Sequence, residues 1–91
     1  MKQFLIIMMS DMDITNYYIT GKSLQDAVVN KLKENVNYFG YNYFTRSKNL
    51  IQCSKLIIND WLNLNYFSAS EVQYYVLDIT DLENIIEVKQ N

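Results

Sequence analysis

Apolar positions along this chain pass from a run, to an alternation, to a helical repeat, and back again. Lys2–Met9 (KQFLIIMM) is apolar at successive positions from Phe4 onward. A strand of that kind suits the centre of a sheet covered on both sides. Ser10-Asp11-Met12-Asp13 supplies turn-forming residues. Ile14–Thr20 (ITNYYIT) is β-branched and aromatic, which predicts a second strand joined to the first by a hairpin. Gly21 closes that strand. Ser23, with Asp26 three residues on, has the spacing of a helix N-cap, and Leu24, Ala27, Val28 and Leu32 then recur at helical intervals. The pattern predicts a helix from Leu24 to about Asn35.

Residues 35–44 (NVNYFGYNYF) interleave Asn and Gly with aromatic rings. The stretch reads either as a prolongation of the helix to Gly40 or as an irregular connection, and the composition favours a loop or short extended segment. Ser47 is the expected cap of a second helix running to about Leu64, with Leu50, Cys53, Ile57, Trp61 and Leu64 as its apolar stripe. Asn65–Ser70 connects to a strand at Glu71–Ile79, where Val72, Tyr74 and Val76 share one face and Gln73, Tyr75, Leu77 and Ile79 the other. Thr80–Asn84 reads as a turn and Ile85–Val88 as a short last strand.

The order β-β-α-α-β-β predicts a single α+β domain over 1–91: a small antiparallel sheet with two helices packed on one face. The first and third strands are apolar on both faces, so they belong side by side at its centre. Two helices cover only one face, and the uncovered face is expected to be an interface.

At 91 residues the chain is near the lower end of what folds alone, and self-association is a natural supplement to its stability. A formal charge of −2, from ten acidic and eight basic residues, gives little drive toward nucleic acid. The apolar run Phe4–Met9 is too short for a signal peptide, and no stretch approaches a membrane span, so a cytoplasmic protein without a membrane partner is expected. Cys53 is the single cysteine, so no disulfide closes within the chain. It falls on an apolar stripe and is expected in the core.

The absence of histidine removes the commonest general base and metal ligand, and with it the Ser-His-Asp and Cys-His nucleophilic arrangements. Gly21-Lys22-Ser23 resembles the tail of a phosphate-binding loop, but the earlier glycine is missing. The carboxylates match no calcium-loop spacing. No catalytic residue, metal site or cofactor is expected, and an enzyme is the least favoured class.

The distinctive feature is tyrosine, eight in all, many beside asparagine. Tyrosine offers a large contact area with few torsions to freeze and a hydroxyl that tolerates water. Tyr38, Tyr41 and Tyr43, with Arg46 just beyond them, are the first candidates for partner contact, because aromatics on loops are binding candidates. Asp78, Asp81 and Glu83 form a second candidate, an acidic edge suited to a basic groove on a partner. Aromatics beside Arg46 and Lys48 also fit a single-strand nucleic-acid platform, where bases stack on rings. A nucleic-acid-binding regulator and a homodimer built on the open sheet face are therefore the alternatives to a protein-binding role.

The abundance of Asn, Tyr, Ile and Lys, residues with AT-rich codons, points to an AT-rich genome. The opening MKQFLIIMMSDMDITNYYITGKSLQDAV and the acidic close YYVLDITDLENIIEV give the chain a class-level likeness. It resembles the small accessory proteins of phages that attack low-GC bacteria, anti-CRISPR proteins among them. That resemblance implies a stoichiometric inhibitor that occupies a site on a host defence or nucleoprotein complex.

Overall fold

In the computed structural model, residues 1–63 and 72–89 are described. The chain forms β1 (Lys2–Met9), β2 (Ile14–Gly21), α1 (Leu24–Glu34), α2 (Tyr41–Thr45), α3 (Leu50–Asn63), β3 (Gln73–Asp78) and β4 (Ile86–Glu87). The fold is α+β, with one four-stranded antiparallel sheet in the order β2-β1-β3-β4. The apolar character of β1 on both faces puts it between β2 and β3, as the pattern predicts.

The hairpin closes through Ser10 and Asp13, with the Ser10 N–H donating to the Asp13 carbonyl at 2.9 Å. Its register is continuous from Lys2 opposite Gly21 to Met9 opposite Ile14, without a bulge. Strand alternation then sorts the side chains. Phe4, Ile6, Ile19 and Val76 lie on one face and join Ala27, Val28, Leu32, Phe39, Cys53, Ile57 and Trp61 in a single buried cluster. At the hairpin's far end Gly21 is buried against α1, where an added Cβ would come within 2.7 Å of the Ala27 Cα. Only a residue without a side chain lets β2 turn so closely into the helix.

Ser23 caps α1, its hydroxyl oxygen accepting from the Asp26 N–H at 3.2 Å. The cap of α3 differs from expectation. Asn49, not Ser47, accepts from the Gln52 N–H at 2.8 Å, while the Gln52 side chain accepts from the Lys48 N–H at 2.7 Å. The two bonds satisfy backbone donors at the helix start in the manner of a capping box. The Ser47 hydroxyl is instead spent on closing α2, at 3.0 Å from the carbonyls of both Tyr43 and Phe44.

The short helix α2 is itself a departure from the two-helix order. Residues 36–39 make turns after α1 ends at Glu34 with Asn35 as its C-cap, and Gly40, at φ +135°, caps the start of the new helix. Both the prolonged helix and the irregular loop are thereby replaced. The third strand is shorter than Glu71–Ile79, although the Ile79 N–H extends its ladder by donating to the Gln3 carbonyl at 2.9 Å. The last strand contracts to Ile86–Glu87. The expected segments at Leu64, Asn65–Ser70 and Glu71 lie outside the described residues.

Candidate functional site

Three surfaces carry the residues that the sequence singles out. The first is the aromatic segment through α2, and here the rings divide. Tyr38 is half-buried: its ring meets Phe39 edge-on at 4.8 Å between centroids and Tyr17 at 5.6 Å, with the Lys31 ammonium 5.2 Å from its face. Phe39 is buried and stands edge-on to Trp61 at 5.2 Å. Tyr43 is also half-buried. Burial first, and next the hydrogen bond to Asp60, push its hydroxyl far above the usual tyrosine range, with Tyr74 adding to the effect. Tyr38 and Tyr43 thus face the core side of the segment.

Tyr41 and Arg46 turn outward. Tyr41 is 67% exposed, Phe44 is 37% exposed, and Arg46 and Lys48 are both exposed. A helical start at Gly40 explains the split, because within one short turn Tyr43 points inward and its neighbours on either side do not.

The second surface is the acidic turn between β3 and β4. Asp78 accepts from both the hydroxyl and the N–H of Thr80, and these bonds hold its carboxyl below the usual carboxylate range, with Lys2 nearby. Asp81 accepts from the Glu83 N–H at 3.0 Å and from the Asn84 side-chain amide at 3.1 Å. Two of the three carboxylates therefore organise their own turn. Glu83 is exposed, and its backbone rather than its carboxylate takes part.

The third surface is the outer face of the sheet. Register places Leu5 between Tyr18 and Leu77, Ile7 between Asn16 and Tyr75, and Met9 between Ile14 and Gln73. Tyr18 is 62% exposed, Ile14 61% and Tyr75 39%. No outward position on β1, β2 or β3 is charged; charge enters at the margins, with Glu87 on β4 opposite Leu77 and 4.0 Å from Lys89, and Asp13 just before Ile14. Apolar residues at every second position of the first and third strands signal this face in the sequence. The places of Tyr18 and Asn16 on it depend on the hairpin register.

Among the described residues, no group of three or more Cys, Asp or Glu side chains is placed to hold a metal ion, and no helix is long and apolar enough to cross a membrane. No protein-family model, curated protein or solved structure matches the chain.

Proposed function

We propose that this chain is a non-enzymatic, protein-binding inhibitor that occupies a surface of a larger bacterial complex. Its class-level likeness to phage-encoded anti-defence proteins makes a CRISPR-Cas effector or another host nucleoprotein complex the first partner to test. The observation that carries the binding role is the outer sheet face, apolar and tyrosine-bearing, with no charge at the outward positions of β1, β2 or β3. A contiguous apolar patch of this kind marks an interaction site in a small protein. Tyr75 on an inner strand and charge only at the rim match the anatomy of protein–protein interfaces. Without cations it has nothing with which to neutralise phosphates, which favours a protein contact.

The test is capture of partners by the tagged chain from nuclease-treated lysate of a low-GC bacterium that carries CRISPR systems. Binding and inhibition are then measured with the purified complex. A charge at the centre of the face, Tyr75→Lys, is expected to weaken binding at least tenfold while leaving the fold intact. Recovery of no defence or nucleoprotein complex, or full inhibition by Tyr75→Lys, would refute the reading.

One observation favours a second reading. Tyr41 and Phe44 are exposed beside Arg46 and Lys48, which is the combination a single-stranded nucleic acid uses for stacking and phosphate contact. Binding to single-stranded oligonucleotides that falls steeply with salt, and is lost in Tyr41→Ala/Arg46→Ala, would put this reading first.

A further inference from the structure

The two edges of the sheet are finished differently. β4 is two residues long, which leaves little edge to pair. β2 is eight residues long, unbulged, and contains no Lys, Pro or acidic residue. Those are the devices that normally protect an edge strand from adding another.

The direction of its free backbone groups follows from the ladder. The Gln3 carbonyl accepts from the Ile79 N–H, and the Gln3 N–H donates to the Thr80 hydroxyl, so Gln3 directs its backbone groups away from β2. Thr20, opposite Gln3, must therefore direct its own outward. The Asn30 side-chain amide confirms this by donating to the Thr20 carbonyl at 3.2 Å from the open side. By alternation Ile14, Asn16 and Tyr18 also present their N–H and C=O groups to the open edge. Its two ends are closed locally: Asn30 holds the Thr20 carbonyl, and the Asp13 carboxylate accepts from the Ile14 N–H at 3.0 Å. Asn16 and Tyr18 between them have no backbone partner among the described residues across that edge, and both are exposed.

We propose that this edge is a self-association site, where a second copy of the chain adds its own β2 antiparallel about a two-fold axis at Asn16. Three observations select a second copy in this register. Outward-pointing residues must face outward-pointing residues, so an axis on Asn16 sets Asn16 against its own equivalent and Ile14 against Tyr18 of the second copy. An axis moved one residue toward Gly21 would set Ile14 against Thr20, adding competition with Asn30 at the Thr20 carbonyl to the exchange of Asp13 that either register asks of Ile14. Finally, an uncharged strand meets itself without like-charge repulsion, and the Ile–Tyr pairs it makes are among the favourable cross-strand combinations. The Ile14 N–H exchanges Asp13 for the second copy, and the outer faces of both sheets join into one continuous surface. The proposal stands apart from the identity of any partner, because the edge pairs through the backbone of β2, whereas the outer face offers side chains, those of Ile14 and Tyr18 among them.

The experiment uses the full chain. Sedimentation across about 1 µM to about 1 mM is expected to show a monomer–dimer equilibrium. Asn16→Pro removes an N–H that the sheet itself does not use, and a proline on an edge strand is tolerated. It is expected to give a folded monomer, and Tyr18→Lys the same result if the proline variant fails to fold. Asn16→Cys, with Cys53 buried, is expected to cross-link to a dimer with a short bismaleimide. Thr20→Cys is not, since its two copies would stand about 27 Å apart along the strands. A chain that stays monomeric throughout, a dimer that survives both edge variants, or cross-linking at Thr20→Cys and not at Asn16→Cys overturns the proposal.

Discussion

The Tyr43 hydroxyl on the short helix α2 and the Asp60 carboxylate on the long helix α3 interact, and after burial Asp60 is the leading cause that raises that hydroxyl above the usual tyrosine range. Tyr74 of β3 acts on the same hydroxyl, and three elements meet at one polar point on the border of the core. A partly buried group of this kind is costly to leave half-made.

Tyr43→Phe keeps the ring and removes the polar interaction with Asp60. The expected loss is about 1 kcal/mol in urea denaturation, the usual net worth of one intramolecular polar contact. Tyr43→Ala also leaves a space beside α3 and is expected to cost about 3 kcal/mol or more. An unchanged midpoint in Tyr43→Phe would show that α2 is held by packing alone.

Alkaline stability should depend on the same cluster. Burial is the leading cause that raises Tyr43, Tyr17 and Tyr74 above the usual tyrosine range. Above about pH 10 the unfolded chain ionises these hydroxyls while the folded chain keeps them protonated. The unfolded state then binds fewer protons, and stability falls as pH rises. Their contribution is complete below about pH 10 and is lost above it. Denaturation midpoints measured from pH 8 to 12 should fall, and Tyr43→Phe should show a shallower decline than the native chain.

Gly21→Ala should be disproportionately harmful for a single methyl group. The new Cβ meets the backbone of Ala27 and Asp26, which cannot rotate away, so β2 and α1 must separate. A loss of about 2 kcal/mol or more in thermal or chemical unfolding is expected. A neutral result would mean that the strand end and the helix slide apart freely.

Cys53 is fully buried on α3. Its thiol should react with a disulfide reagent only as fast as the protein opens, and many-fold faster in denaturant. Rapid labelling of the native chain would show that α3 leaves the sheet under native conditions.

The elements that local chemistry dictates were legible in the sequence. Ser23 followed by Leu24, Ala27, Val28 and Leu32 marks α1 to within a residue, because the cap and the apolar period agree. The double-sided apolar character of β1 and β3 places them side by side, as found. The sequence pattern places the cap of α3 at Ser47, and it lies at Asn49, two residues on and an equally good N-cap residue. What separates them is Gln52, which lies three residues after Asn49 and reaches back to Lys48. Which tyrosines point inward was not legible at all. A tyrosine suits the core border and the surface equally, and only the start of α2 at Gly40 turns Tyr43 in and Tyr41 out.

Trp61 is the chain's single tryptophan and is almost fully buried, edge-on to Phe39 and 6.5 Å from Tyr74 between ring centroids. Tyr17 and Tyr38 lie just behind Phe39. Tyrosines at such range pass their excitation to an indole, so the folded chain emits mainly from one shielded fluorophore at short wavelength. Loss of the fold releases tyrosine emission and shifts the indole to the red. The protein carries its own optical gauge, seated where α3, β3 and the turn after α1 converge.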